Sequence, residues 1–194
     1  GLGDVYKRQI RGSSVTINSL STSSLKPSGA SYNFQTNNNF GAFDPSGTVF
    51  TSKIIETTAS GYYFNESTAK VSKDIVMLRG ISDLITDRAV NVNVLTQIAN
   101  RRTRQLFTTK AETTFAAART RAQRELLSAF YIYNSADLVP SNGEVRSFSE
   151  LDLGKARAAD QILAAISAQI TQVGQDGSGI SVLPVSYTHL RAHE

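Results

Sequence analysis

The residues best placed to do chemistry are cations. Arg101, Arg102, Arg104, Lys110, Arg119, Arg121 and Arg124 fall within residues 94–133, where only Glu112 and Glu125 oppose them, so this segment carries a net +5. Cations gathered on one face attract a phosphate backbone, with an affinity that falls steeply as salt rises. On one continuous helix, at ~100° per residue, Arg101, Arg104 and Arg119 project in similar directions while Arg102, Arg121 and Arg124 scatter. The cluster lacks interleaved aromatics and the spacing of a helix-turn-helix. A solvated helical face is therefore the favoured role, with anion or partner contact as the functional alternative.

Carboxylates offer less. Asp74, Asp83 and Asp87 lie on one predicted helix, and the last two share a face. That pair suits salt bridges to Lys or Arg better than a cation site. Asp176-Gly177-Ser178 lacks the acidic spacing of a calcium loop. The glycines of Gly174-x-x-Gly177-x-Gly179 follow a predicted helix rather than a strand, so they read as a cap and a turn, not as a dinucleotide cradle. Asn65-Glu66-Ser67 is a glycosylation sequon that matters only in a secreted eukaryotic protein. No catalytic set, cofactor motif or metal motif emerges.

Both ends resemble translated adapter DNA rather than selected protein sequence. Asp4-Val5-Tyr6-Lys7-Arg8-Gln9 back-translates to GAT GTG TAT AAG AGA CAG, which resembles a transposon mosaic end. Val185-Ser186-Tyr187-Thr188-His189-Leu190 reads as the reverse complement of the same element. Residues 1–9 and 185–194 are therefore expected to be non-native and to make few contacts with the rest. Residues 10–184 are expected to be a fragment of a longer reading frame, with Met77 mid-chain as its one methionine.

Removing those ends sharpens the chemistry. Both histidines, His189 and His193, go with them, and the chain has no Cys and no Trp. Of its 20 basic and 16 acidic residues, three and two respectively lie in the ends, so the remainder carries +3. Without imidazole or thiol there is no Ser-His-Asp or Cys-His pair and no soft metal site. No apolar run approaches the roughly 18 residues of a membrane span.

The elements that would position these groups fall into two regions. Residues 10–65 are rich in Ser, Thr, Asn and Gly, with aromatics at Tyr32, Phe34, Phe40, Phe43, Phe50, Tyr62, Tyr63 and Phe64. Val15 with Ile17, and Tyr32 with Phe34, alternate as in half-buried strands. Lys26-Pro27-Ser28-Gly29 and Asp44-Pro45-Ser46-Gly47 are turn signals. A polar arm or a small β region, of short strands or irregular structure, is expected here. Residues 66–174 are expected to form a helical domain. Val71, Ile75, Leu78 and Ile85 share one helical face, with a possible cap at Asn65, Ser67 or Thr68. Residues 89–94 alternate strictly and suit a short strand or a helix break. Ala111, Phe115, Ala118, Ala122, Leu126 and Ala129 stripe one long helix. Ser149-x-x-Asp152 resembles a capping box ahead of a coiled-coil-like seam of Ala159, Leu163, Ile166, Ile170 and Val173, ended by Gly174 and a loop over residues 175–184.

The sequence thus predicts a mainly α protein, with helices over residues 67–88, 95–131 and 150–173 and an N-terminal arm. The function it favours is non-enzymatic: a structural or assembly protein, by analogy a virion component or a surface-exposed one, with a protein partner or its own copies. A nonspecific nucleic-acid binder using residues 101–124 is the alternative.

Overall fold

The computed structural model describes residues 11–36, 42–62, 64–65, 70–71, 73–87, 89–129 and 147–150. The expectations for both ends, for residues 66–67 of the sequon, for residues 151–173 of the last helix with its seam, and for the closing loop lie outside them. Strands β1 (Arg11–Leu20), β2 (Pro27–Gln35), β3 (Ile54–Tyr62) and β6 (Val76–Asp83) form an antiparallel sheet in the order β2-β1-β3-β6. Between β3 and β6 lies a two-stranded ribbon of β4 (Phe64–Asn65) and β5 (Lys70–Val71). Helices α1 (Val94–Thr108) and α2 (Phe115–Ala129) follow, then a 3-10 turn at Phe148–Glu150.

The mainly helical, coiled-coil-like expectation is therefore corrected: strands cover more of the described chain than helices do. The polar N-terminal region is no arm, because it supplies three of the four sheet strands. Its alternation was the right signal. Val15 opposes Phe34 and Ala59, and Ile17 opposes Tyr32 and Thr57. Val15, Ile17, Ile55 and Ala59 form one buried cluster, against which Phe34, Phe43, Phe50, Val90 and Val92 pack. The opposite face carries Leu20, Ile54 and Ile81 into a second cluster with Leu25, Leu106, Phe107, Phe115, Ala118 and Ala122. Strands β1 and β3 thus divide their side chains between two cores, while alternate residues of the edge strand β2 face solvent.

The first predicted helix is where the wrong period was read. Leu78 is buried, but its supposed face-mates Ile75 and Ile85 are 58% and 74% exposed. Residues 76–83 instead pair along their whole length with β3, from Gly61↔Val76 to Ile54↔Asp83. Gly80 weakens a helix by about 1 kcal/mol relative to Ala, and in the strand its missing side chain is used. A Cβ there would sit 3.3 Å from the Thr96 Cβ, so glycine lets the start of α1 close on the sheet.

The single long helix is corrected to two. Residues 109–114 break it: the Thr109 N–H bonds the Gln105 carbonyl, Lys110 turns left-handed at φ 61°, and the Glu112 N–H reaches back to the Leu106 carbonyl. Thr114 then caps α2, its Oγ1 accepting from the Ala117 N–H at 3.2 Å. Residues 89–93 form no strand and lead into a buried capping box. The Asn93 side chain accepts from Thr96 N–H, and Asn93 N–H donates to Thr96 Oγ1. Phe115, Ala118, Ala122 and Leu126 are buried as the stripe implied, while Ala111 lies exposed in the break.

Four buried hydroxyls, on Ser13, Ser19, Thr57 and Ser82, have no hydrogen-bond partner. All four lie on the Val15–Ile55 face by register. A buried donor without a partner costs about 1–3 kcal/mol. Thr57→Val keeps the shape and removes the orphan, so it should stabilise the protein by about 1 kcal/mol in urea unfolding. A loss of stability would mean that the hydroxyl is bonded.

Candidate functional site

The seven cations do not share a face, because two helices and, for Lys110, the break between them carry them. Arg104 on α1 turns onto the sheet. Its guanidinium donates to the Glu56 carboxylate on β3 at 2.8 Å, to Asn100 Oδ1 at 3.1 Å and to the Leu25 carbonyl. Asn100 donates in turn to the same Glu56 oxygen at 3.1 Å. Glu56 is one of two carboxylates in residues 10–65; on β3 it is buried, so it needs these partners.

Arg119 on α2 is held in the same manner. Its Nη1 lies 2.6 Å from Asp87 Oδ2, with the Asp87 side chain only 2% exposed. That carboxylate also accepts from the Asp83 N–H at 3.0 Å and from Ser149 Oγ at 3.1 Å. One carboxylate thus joins the end of β6, the second helix and the 3-10 turn. The turn is tied further by Asn93 Nδ2 on the Phe148 carbonyl and by Asn91 N–H on the Ser149 carbonyl. Asp83 caps its own turn, its carboxylate accepting from the Ile85 N–H. So Asp83 and Asp87 are close in space, although on a turn and not on a helix. No group of three or more metal-binding side chains occurs among the described residues.

Glu125 brings two of the predicted cations together. Arg102 meets it with both Nε and Nη2, at 2.5 and 3.0 Å, and Arg121 meets it at 3.0 Å one helical turn away. Arg121 also reaches Glu112 at 3.2 Å. This chain spans α1, α2 and the break between them. Burial pushes the Glu125 carboxyl up, but the hydrogen bonds and charges of Arg102 and Arg121 outweigh it and hold the group below its ordinary value. The bond to Glu112 raises Arg121 further. Lys110 sits over the Phe107 ring at 5.2 Å, and Arg119 over Phe115 at the same distance. Arg101 and Arg124 are exposed, and neither is without an interaction partner.

The lowered Glu125 gives a pH prediction. A carboxyl depressed in the folded state contributes stability above its unfolded value, and loses it as pH falls through the folded one. Glu125→Gln should therefore be less stable than the parent near neutral pH, and the gap should close as both are taken below the usual carboxylate range. Urea midpoints across a pH series check this; a gap independent of pH would contradict the pairing.

A small cavity of about 10 Å³ lies between β6, the two helices and the 3-10 turn, lined by apolar side chains such as Ile81 and Phe115 together with polar ones such as Thr96, Asn100 and Gln123. Its size suits a single water. No described helix is long and apolar enough to cross a membrane. No family model matches the chain, and no curated protein or solved structure matches it either.

Proposed function

We propose that this chain is a non-enzymatic structural or assembly protein whose basic helices are internal clamps. The observation that carries the reading is the fate of the arginines. Arg102, Arg104, Arg119 and Arg121 each meet a carboxylate of the same chain, and two of those carboxylates belong to the sheet and its following turn. A guanidinium committed to a carboxylate must give up that bond to hold a phosphate, so the surface offers nucleic acid less than the +5 segment suggests. A virion-type or surface-exposed component, working with a protein partner or its own copies and with no cofactor, fits this arrangement.

Nonspecific nucleic-acid binding is the second reading, favoured by the exposure of Arg101, Lys110, Arg121 and Arg124. Retention of duplex DNA across a salt series separates the two. The structural reading expects a dissociation constant no tighter than about 10⁻⁶ M at physiological salt. It also expects that replacing Arg101, Arg102 and Arg104 together with Ala alters assembly or solubility more than retention. Retention of any duplex that falls steeply with salt and disappears in the triple variant, with assembly and solubility unchanged, would replace it with the second reading.

A further inference from the structure

The two edges of the sheet are finished differently. Backbone parity can be followed from one bond, the Thr36 N–H to the Ser13 carbonyl at 3.0 Å, which continues the register Ser14↔Gln35. In an antiparallel ladder the direction of N–H and C=O alternates along the strand. Phe34 and Tyr32 therefore point theirs at β1, while Ser31, Asn33 and Gln35 point theirs outward. Across the sheet, the same alternation turns Met77, Arg79, Ile81 and Asp83 outward on β6, and the amides of Arg79 and Asp83 are capped. Arg79 N–H donates to Gln97 Oε1 at 2.6 Å and Asp83 N–H to Asp87 Oδ2 at 3.0 Å. On β2, Ser31, Asn33 and Gln35 are exposed, and among the described residues no such side chain caps their amides.

The usual protections of an edge are confined to one end of β2. Pro27 opens the strand, and between Ser31 and Pro27 the register with β1 slips, with Gly29 at φ 98° in the irregular stretch. Residues 31–35 are regular, and Pro27–Gln35 contains no charged residue.

We infer that this edge of β2 pairs with β2 of a second copy of the chain, antiparallel, about a two-fold axis at Asn33. The inference rests on the assembly reading and names its partner. With the axis there, Asn33 opposes the partner's Asn33, and Ser31 opposes the partner's Gln35. All of these positions point outward, so the three residue pairs exchange six backbone hydrogen bonds. Tyr32 then opposes the partner's Phe34 at a position without backbone bonds, where side chains come closest. Both aromatics are half-buried on the apolar face, so each copy covers what the other leaves open. A second copy thus matches amide with amide, aromatic with aromatic, and an uncharged edge with another.

Sedimentation equilibrium of the full chain tests this. The unchanged chain should reach twice the monomer mass with rising concentration. Asn33→Lys and Asn33→Asp each set a charge against itself across the axis and should weaken the dimer by about tenfold or more. Mixed in equal amounts, the two variants should recover the dimer. Circular dichroism of each variant excludes misfolding, and amide exchange should slow at Ser31, Asn33 and Gln35 only in the dimer. A chain that stays monomeric, an oligomer that Asn33→Lys leaves intact, or a mixture of folded variants that does not recover the dimer would overturn the pairing. Those failures leave the assembly reading standing if DNA retention stays weak, whereas tight DNA binding lost with Arg101, Arg102 and Arg104 defeats that reading itself.

Discussion

Replacing Asp87 with Ala should destabilise the protein by about 3–5 kcal/mol, one of the largest losses available from a single polar side chain. The reason is the number of groups that lose their partner together. Arg119 is left with a guanidinium only 15% exposed, the outward amide of Asp83 loses its acceptor, and Ser149 Oγ loses its tie to the turn. Removing one member of a buried pair is costly because the other charge stays behind in a poor solvent for it. Asp87→Asn should cost less, since an amide oxygen still accepts from the Asp83 N–H. Urea midpoints of the two variants give the comparison. A change under 1 kcal/mol for Asp87→Ala would mean that water serves these groups as well as the carboxylate does.

Phe148→Ala should cost a further large amount, about 3–5 kcal/mol, by emptying a fully buried aromatic site. Phe148 lies beside Ile81, Thr96 and Ala99, at the junction of β6 and α1, and its backbone carbonyl accepts from Asn93. Its removal therefore loosens the turn that Asp87 also holds. The two losses should not add, because each variant disturbs the other's site. Unfolding of both single variants and the double variant checks this, and strict additivity would mean that the turn and the carboxylate are independent.

Legibility in the sequence followed the physics of each segment. Val15 with Ile17 and Tyr32 with Phe34 pointed to strands by their period of two, with irregular structure as the alternative for that region. What was not visible is that these strands need β6, whose residues carry both periods. Leu78, Ile75 and Ile85 satisfy a helical face on paper, and only the long-range pairing of β6 with β3 decides against it. The break between α1 and α2 was hidden by good helix formers on both sides, although Thr108, Thr109, Thr113 and Thr114 cluster there, and threonines bond to backbone in competition with the helix.

For the candidate site, the arginines were found from sequence and their partners were not. Charge segregation could be counted, but which carboxylate meets which cation depends on tertiary placement. Glu56 carried a readable signal, a lone acid among Ile54, Ile55 and Thr57, since a buried carboxylate must be bonded. Asp87 was legible as a salt-bridge carboxylate, but not its partner Arg119 or its burial, which depends on a turn and on Ser149, 62 residues away. The open edge of β2 was equally invisible, since edges are properties of strand order.

A double-mutant cycle between Asp87 and Arg119 tests most directly that the basic helices are clamps on the protein's own acids. Unfolding of the parent, Asp87→Ala, Arg119→Ala and the double variant yields the coupling between the two side chains. The clamp predicts a favourable coupling of about 1–3 kcal/mol that survives in high salt, because the pair is buried. A coupling near zero, with Arg119→Ala neutral by itself, would contradict it and leave that arginine available to an outside partner.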